Sequence, residues 1–212
     1  MTAVALVKPR MRGVLHQHAF FAALAAGAVL VAAADGPRAR LGAAVYAAGL
    51  AGLLGTSALY HRVTWSETAR RWMRRLDHAM IFVLIAATAT PVALLVLDDP
   101  LRTVLLAVMW GSAVAGVLIE LLWPAAPKWF NSAVYCTVGL CGFTAFPSLA
   151  GSAVAALVLM LAGGVLYAAG AVIYATGRPD PRPAVFGYHE VFHALVVAAA
   201  ALHFAAVGIV VL

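Results

Sequence analysis

Seven predominantly apolar runs, each near the ~20 residues a helix needs to cross ~30 Å of hydrocarbon, fill most of this 212-residue chain. They fall at 15–34, 41–60, 77–97, 102–123, 129–148, 152–175 and 189–211. Inside hydrocarbon every backbone N–H and C=O must find a partner in the protein, so a spanning segment is either a helix or a strand of a closed barrel. Barrel strands are about half this length and alternate apolar with polar residues, which these runs do not. The expected fold is therefore all-α, a seven-transmembrane helix bundle. The connections leave no room for a soluble domain, so residues 1–212 read as a single integral membrane domain. A mean hydropathy of +0.98, with 65% hydrophobic and only 10% charged residues, excludes an ordinary soluble domain of this size.

The formal charge of +6 invites a nucleic-acid reading, which the placement of the charges opposes. With a cytoplasmic N-terminus, eleven basic residues (Lys8, Arg10, Arg12, Arg62, Arg70, Arg71, Arg74, Arg75, Lys128, Arg178, Arg182) lie inside, and three (Arg38, Arg40, Arg102) outside. That asymmetry predicts N-in, C-out and a multi-pass protein of the cell membrane, its basic side against anionic headgroups. No basic face carries base-reading or stacking residues, so no nucleic-acid partner is expected. The first run follows Lys8, Arg10 and Arg12 and ends near Ala32-Ala33-Ala34, as a signal peptide would. Six further spans and two polar residues near its start, His16 and His18, favour a retained helix.

Between the spans, the segment Arg62–Leu76 reads as a short interfacial helix capped by Ser66, with Trp65, Trp72 and Met73 for apolar contacts and four arginines in its later turns. Pro91 should kink the third span and free a carbonyl that Thr88, Thr90 or a neighbouring helix could meet. Gly177–Pro183 is a helix-incompatible turn. Cys136 and Cys141, five apart in the fifth run, match neither a redox nor a zinc spacing and read as small buried packing residues.

The polar residues at the cytoplasmic ends of these spans carry the chemistry. His189-Glu190-Val191-Phe192-His193 opens the last run. An i, i+4 spacing puts both imidazoles on one helix face, Cβ atoms about 5–6 Å apart, within reach of one metal ion. Polar groups at such depth are usually functional. The second span ends on Ser57-Ala58-Leu59-Tyr60-His61, again an i, i+4 polar pair, and the third begins with Asp77-His78. Three helix ends thus bring His61, His189, His193, a carboxylate (Asp77) and a hydroxyl (Ser57) to similar depth. Zinc suits such a set: it accepts neutral imidazoles tetrahedrally, and three protein ligands leave one open position. Asp77 could then serve as a proton acceptor and Ser57 as its hydrogen-bond partner. A buried Asp77 costs about 2.5–3.5 kcal/mol on insertion scales, which a nearby cation offsets. The same letters would also serve a site closed by Asp77. The run 189–193 is moreover HExxH, in which Glu190 would be the general base of a metalloprotease.

The remaining polar positions are less telling. His16 and His18 lie on the site's side and could help line its mouth. His78 points about 100° away from Asp77 and reads as a packing or interface residue. His203, ten residues beyond His193, reads as a buried hydrogen-bonding group. Glu120 reads as an acid snorkelling to the interface, with ligand contact as the alternative.

Taken together, Lys8-Pro9-Arg10-Met11-Arg12-Gly13-Val14-Leu15-His16, Ser57–His61, Asp77-His78, and Gly187–His193 with His203-Phe204 resemble the haemolysin III branch of the progestin and adipoQ receptor (PAQR) family. The resemblance covers nearly the whole chain. It implies a seven-helix fold with an intracellular-side zinc held by His61, His189 and His193, flanked by Asp77 and Ser57. Alkaline ceramidases in the wider superfamily imply zinc-dependent hydrolysis of lipid amides. Receptor-type relatives lack an acid at the position of Glu190, which disfavours the protease reading. The leading expectation is a metal-dependent hydrolase of a lipid amide or ester, an acyl chain entering an intramembrane cavity. A non-enzymatic sensor of membrane state with structural zinc is the alternative. A pore-forming haemolysin is disfavoured, because the spans offer no continuous polar stripe.

Overall fold

The computed structural model describes residues 8–212. Helix α1 (Val14–Ala33) turns at Ala34-Asp35 into α2 (Gly36–Arg62), followed by α3 (Glu67–Val96) and α4 (Leu101–Leu122). Then come α5 (Lys128–Cys141), a 3₁₀ turn (Gly142–Ala145), α6 (Phe146–Ser152), α7 (Val154–Thr176) and α8 (Tyr188–Val211). With α5 to α6 counted as one span, seven helical segments are long and apolar enough to cross a membrane. Among the described residues, the only extended pairing is an isolated bridge between Arg182 and Phe186. The expected all-α, seven-span fold holds.

Two segments differ from the sequence-based expectation. The basic stretch before the third span is not a separate interfacial helix. Ser66 caps α3 itself, its hydroxyl accepting from the Ala69 N–H at 3.3 Å, and the helix runs unbroken to Val96. No glycine or proline occurs between Glu67 and Thr90 to stop it. Thirty residues give about 45 Å at 1.5 Å per residue, so the arginine-bearing first turns extend beyond a hydrocarbon slab. The fifth run, in contrast, is broken. Pro147 cannot donate to the carbonyl of Phe143 and Gly142 weakens the helix before it, so the backbone tightens through a 3₁₀ turn before α6.

Pro91 lies inside α3. The two nearby threonines do not meet the carbonyl it frees: Thr88 donates to Leu84 O (2.7 Å) and Thr90 to Ala86 O (2.8 Å). Cys136 is exposed rather than buried and Cys141 half-buried; Cys136 borders an internal cavity instead of packing against a neighbouring helix.

Helix α8 is the hub, packed against α7 and touching α1, α2 and α3, while α3 lies between α2 and α4. Tyr46, Phe82, Met109 and Val207 are buried at these contacts, and large apolar residues such as Phe21, Val29 and Val165 face outward. Successive spans alternate direction, so most of the basic residues gather at one end, and that end is tied by polar contacts. Residues 10–11 pair with the α7–α8 turn through Arg10 N–H to Ala184 O and Met11 N–H to Val185 O, each 3.1 Å. Arg62 donates to Gln17 (3.0 Å), Lys128 to Tyr188 (2.9 Å), and Arg74 to the Pro124 carbonyl.

Candidate metal centre

Within this basic end, the C-terminal turn of α2 presents His61 and the first turns of α8 present His189 and His193. One ligand atom from each imidazole lies within 4.8 Å of the others. His61 Nε2 and His189 Nε2 are 3.1 Å apart, against about 3.3–3.4 Å for two nitrogens held 2.0–2.1 Å from a tetrahedral ion. His61 and His193 are buried and His189 nearly so. Three imidazoles turned toward one point, with few other polar groups to satisfy them, fit the donor chemistry of a borderline metal ion. The grouping expected from the i, i+4 pattern on α8 and the end of α2 is therefore present in three dimensions.

Asp77, on α3, stands beside this cluster, Oδ2 3.8 Å from His61 Nε2, too far for a hydrogen bond. The Ser57 side chain, one turn before His61, faces the Asp77 carboxylate and is buried. Both line an interior cavity of about 530 Å³, which His16, His189 and His193 also line. Away from this end the cavity wall turns apolar, with Leu84, Val92, Met109, Phe146 and Leu149. One end can bind oxygen atoms and charge; the rest suits hydrocarbon.

Glu190 has a different partner from the one HExxH assigns. Its side chain is 1% exposed and forms an ion pair with Arg12. Its other oxygen accepts from the Gly187 N–H at 2.8 Å, closing a capping box at the start of α8. Both carboxylate oxygens are thus engaged on the face of α8 turned toward the N-terminal segment. The positive φ of Gly13 (79°) lets that segment turn against α2, where a Cβ at residue 13 would lie 2.6 Å from His61 Cβ. The segment from Pro9 to Gly13 therefore braces both ligand-bearing helices. Nearby, partial burial and then the charges of Arg62, Arg70 and Arg12 lower the pKa of the Lys8 ammonium from its ordinary value.

Other positions differ from their sequence-based reading. Glu120 does not snorkel. It is 3% exposed, accepts from Tyr135 at 3.0 Å and lies 3.4 Å from His78 Nδ1. His78 and Tyr135 both line the cavity, so the acid holds two wall residues. Nothing local in the sequence marks Tyr135, because its partner comes from a helix with no fixed register to α5. His203 is a hydrogen-bonding group as expected, though only partly buried, Nε2 lying 3.1 Å from Met160 O. Gly163 makes the space: a Cβ there would overlap the His203 ring. His18 is exposed, whereas His16 is buried and stacked on His193, ring centroids 3.8 Å apart and planes within 10°.

Comparison with known proteins identifies the family. The chain is 30% identical over 112 residues to the Hemolysin-3 homolog of Bacillus subtilis (strain 168), covering 52% of each protein. It is 33% identical over 95 residues to Hemolysin-3 of Bacillus cereus, covering 43% of this chain and 42% of that one. The aligned regions thus span about half the length of these curated relatives. Residues 4–204 match the Haemolysin-III related family. This match takes in every helix end that carries the site, and the chain belongs to that family, as a multi-pass membrane protein.

Proposed function

We propose that this protein is a zinc-dependent membrane hydrolase acting on an amide or ester of a lipid, in the cell membrane, with the basic end of the bundle in the cytoplasm. The observation that carries the reading is the position of the three-imidazole cluster, Asp77 and Ser57 at the polar end of an otherwise apolar cavity. His61, His189 and His193 would hold the metal. When bound, zinc supplies Lewis-acid polarisation of a carbonyl and lowers the pKa of water.

The chain's own residues do the rest. Asp77 accepts a proton at Oδ2 on the side of the cluster that opens to the cavity. Ser57 fixes the carboxylate's orientation. The apolar wall takes the acyl chain and keeps bulk water from the polar end. Leu140, Phe143, Leu161 and Val165 line the cavity and are also exposed on the bundle's outer surface, which supports supply of the chain from the bilayer. The cytoplasmic assignment rests on the eleven-to-three distribution of basic residues.

The test is metal analysis of the detergent-purified protein together with product analysis on N-acyl and O-acyl lipids. About one zinc per chain, lost in His189→Ala, and turnover abolished in a metal-replete Asp77→Ala would support the proposal. Turnover retained by Asp77→Ala defeats the catalytic assignment.

A second reading draws on the fact that the cluster joins α2 to α8. Zinc would then be a structural clamp in a non-enzymatic sensor of membrane state. It predicts metal-dependent stability and no lipid product at any pH. The names of the Bacillus relatives suggest a haemolytic pore. The apolar cavity wall supports a lipid occupant instead, and dye release from liposomes at low protein density would reverse that preference.

A further inference from the structure

His16 is the buried histidine that the proposed ligand set does not use. It is 2% exposed, and among the described residues neither ring nitrogen has a hydrogen-bond partner. The His193 backbone lies near the ring but completes no hydrogen bond with either nitrogen. An imidazole carries a donor and an acceptor in its ring plane, and leaving both unmade in a protein interior costs free energy. The side chain lines the cavity, so the cavity is where its missing partner can sit.

The stacking decides what kind of partner. His16 and His193 are nearly parallel, 3.8 Å between centroids. A nitrogen lone pair lies in its ring plane, so two parallel rings at that separation cannot both direct one at the same ion. His16 is therefore not a fourth metal ligand in this arrangement, and it does not belong to the group whose ligand atoms converge. Its ring lies one stacking distance from that of His193 and lines the same cavity, so its nitrogens can meet an oxygen atom presented there beside the cluster. Gly13 allows this placement, since its positive φ brings the start of α1 against His61.

We propose that His16 hydrogen-bonds the oxygen of the ligand that occupies the polar end of the cavity, binding and orienting it without contributing to metal affinity. This rests on the metal reading above. The experiment uses the full chain in detergent, loaded with Co²⁺ in place of zinc, with acetohydroxamate as an oxygen-donor probe followed through the cobalt visible bands. Wild type is compared with His16→Phe, which keeps a ring on His193 without a nitrogen, and His16→Gln, which keeps an N–H. Should phenylalanine not be accommodated, His16→Leu reads the same loss.

The expected result is unchanged cobalt content in all variants. Acetohydroxamate should bind about tenfold more weakly to His16→Phe, the size of a lost hydrogen bond to a charged oxygen, and His16→Gln should recover part of the loss. Equal acetohydroxamate affinity in wild type and His16→Phe overturns the proposal. So does loss of cobalt from a folded His16→Phe, which would make His16 a ligand or a support of the cluster. A wild-type chain that takes up no cobalt defeats the metal reading itself, a distinct failure visible before any probe is added.

Discussion

Glu190→Gln separates a structural carboxylate from a catalytic one within HExxH. The wild-type side chain pairs with Arg12 and caps α8 through Gly187. Glutamine retains an amide oxygen for the Gly187 N–H and loses the charge that faces Arg12. A hydrogen bond to a charged group contributes about 1.5–3 kcal/mol, and breaking a buried pair costs about 3–5 kcal/mol. Arg12 keeps 23% of its side chain accessible, so its guanidinium rehydrates in part and the lower range applies. The expected loss is about 2–3 kcal/mol, or about 4–12 °C in thermal midpoint for a chain of this size. Tryptophan fluorescence during thermal unfolding in detergent measures it. Arg12→Gln should cost a similar amount, and the double variant little more than either single one. Metal content, and any lipid turnover per folded protein, should match wild type. Unchanged stability combined with lost turnover would refute this account and return Glu190 to the chemistry.

Three further outcomes follow from the same geometry. Removing metal with a chelator should lower the wild-type thermal midpoint, and the difference should vanish in His61→Ala, His189→Ala and His193→Ala; an unchanged midpoint would mean that no ion bridges α2 and α8. Glu120→Leu leaves His78 and Tyr135 without their buried acceptor and should cost about 1–3 kcal/mol, with Glu120→Gln costing less; equal stability of all three forms would contradict the pairing. Gly164→Phe places bulk where a Cβ meets nothing within 4 Å, on the cavity-lining side of α7. It should slow turnover of long-chain lipids at unchanged stability and metal content, and unaltered rates would exclude this face as the route of the acyl chain.

How much of this was legible in the sequence depends on whether a residue's partner was local. The seven spans follow from run length alone, and the three-histidine cluster from spacing along α8 plus the alternation of spans, which fixes which helix ends share a level. Features decided by the rotation of one helix against another were not legible. Glu120 looked like an interfacial acid because nothing near it announces that Tyr135 and His78 will face it. His16 looked peripheral because its stack on His193 depends on the turn at Gly13. Glu190 carried a motif whose spacing is satisfied equally by a base beside a metal and by a cap paired with Arg12. Only the approach of the N-terminal segment to α8 decides between them. The division of the fifth run was present in Gly142 and Pro147, and the continuity of α3 in the lack of any breaker after Ser66.

The polar end of the cavity holds more hydrogen-bonding capacity than the fold needs. Elsewhere among the described residues, Glu120 has two partners, the partly buried His203 has a carbonyl, and Glu190 is fully engaged. At this end three imidazoles converge beside Asp77, and neither nitrogen of His16 has a hydrogen-bond partner among the described residues. An apolar interior tolerates such a concentration only if something completes it. On the proposed function, a cation would satisfy the three imidazoles and offset the carboxylate, and a ligand oxygen would satisfy His16. A clamp needs only the first of these. The second would acquire a purpose if, as proposed, a lipid carbonyl were brought to the cluster, with the apolar cavity wall behind it to take the rest of such a molecule.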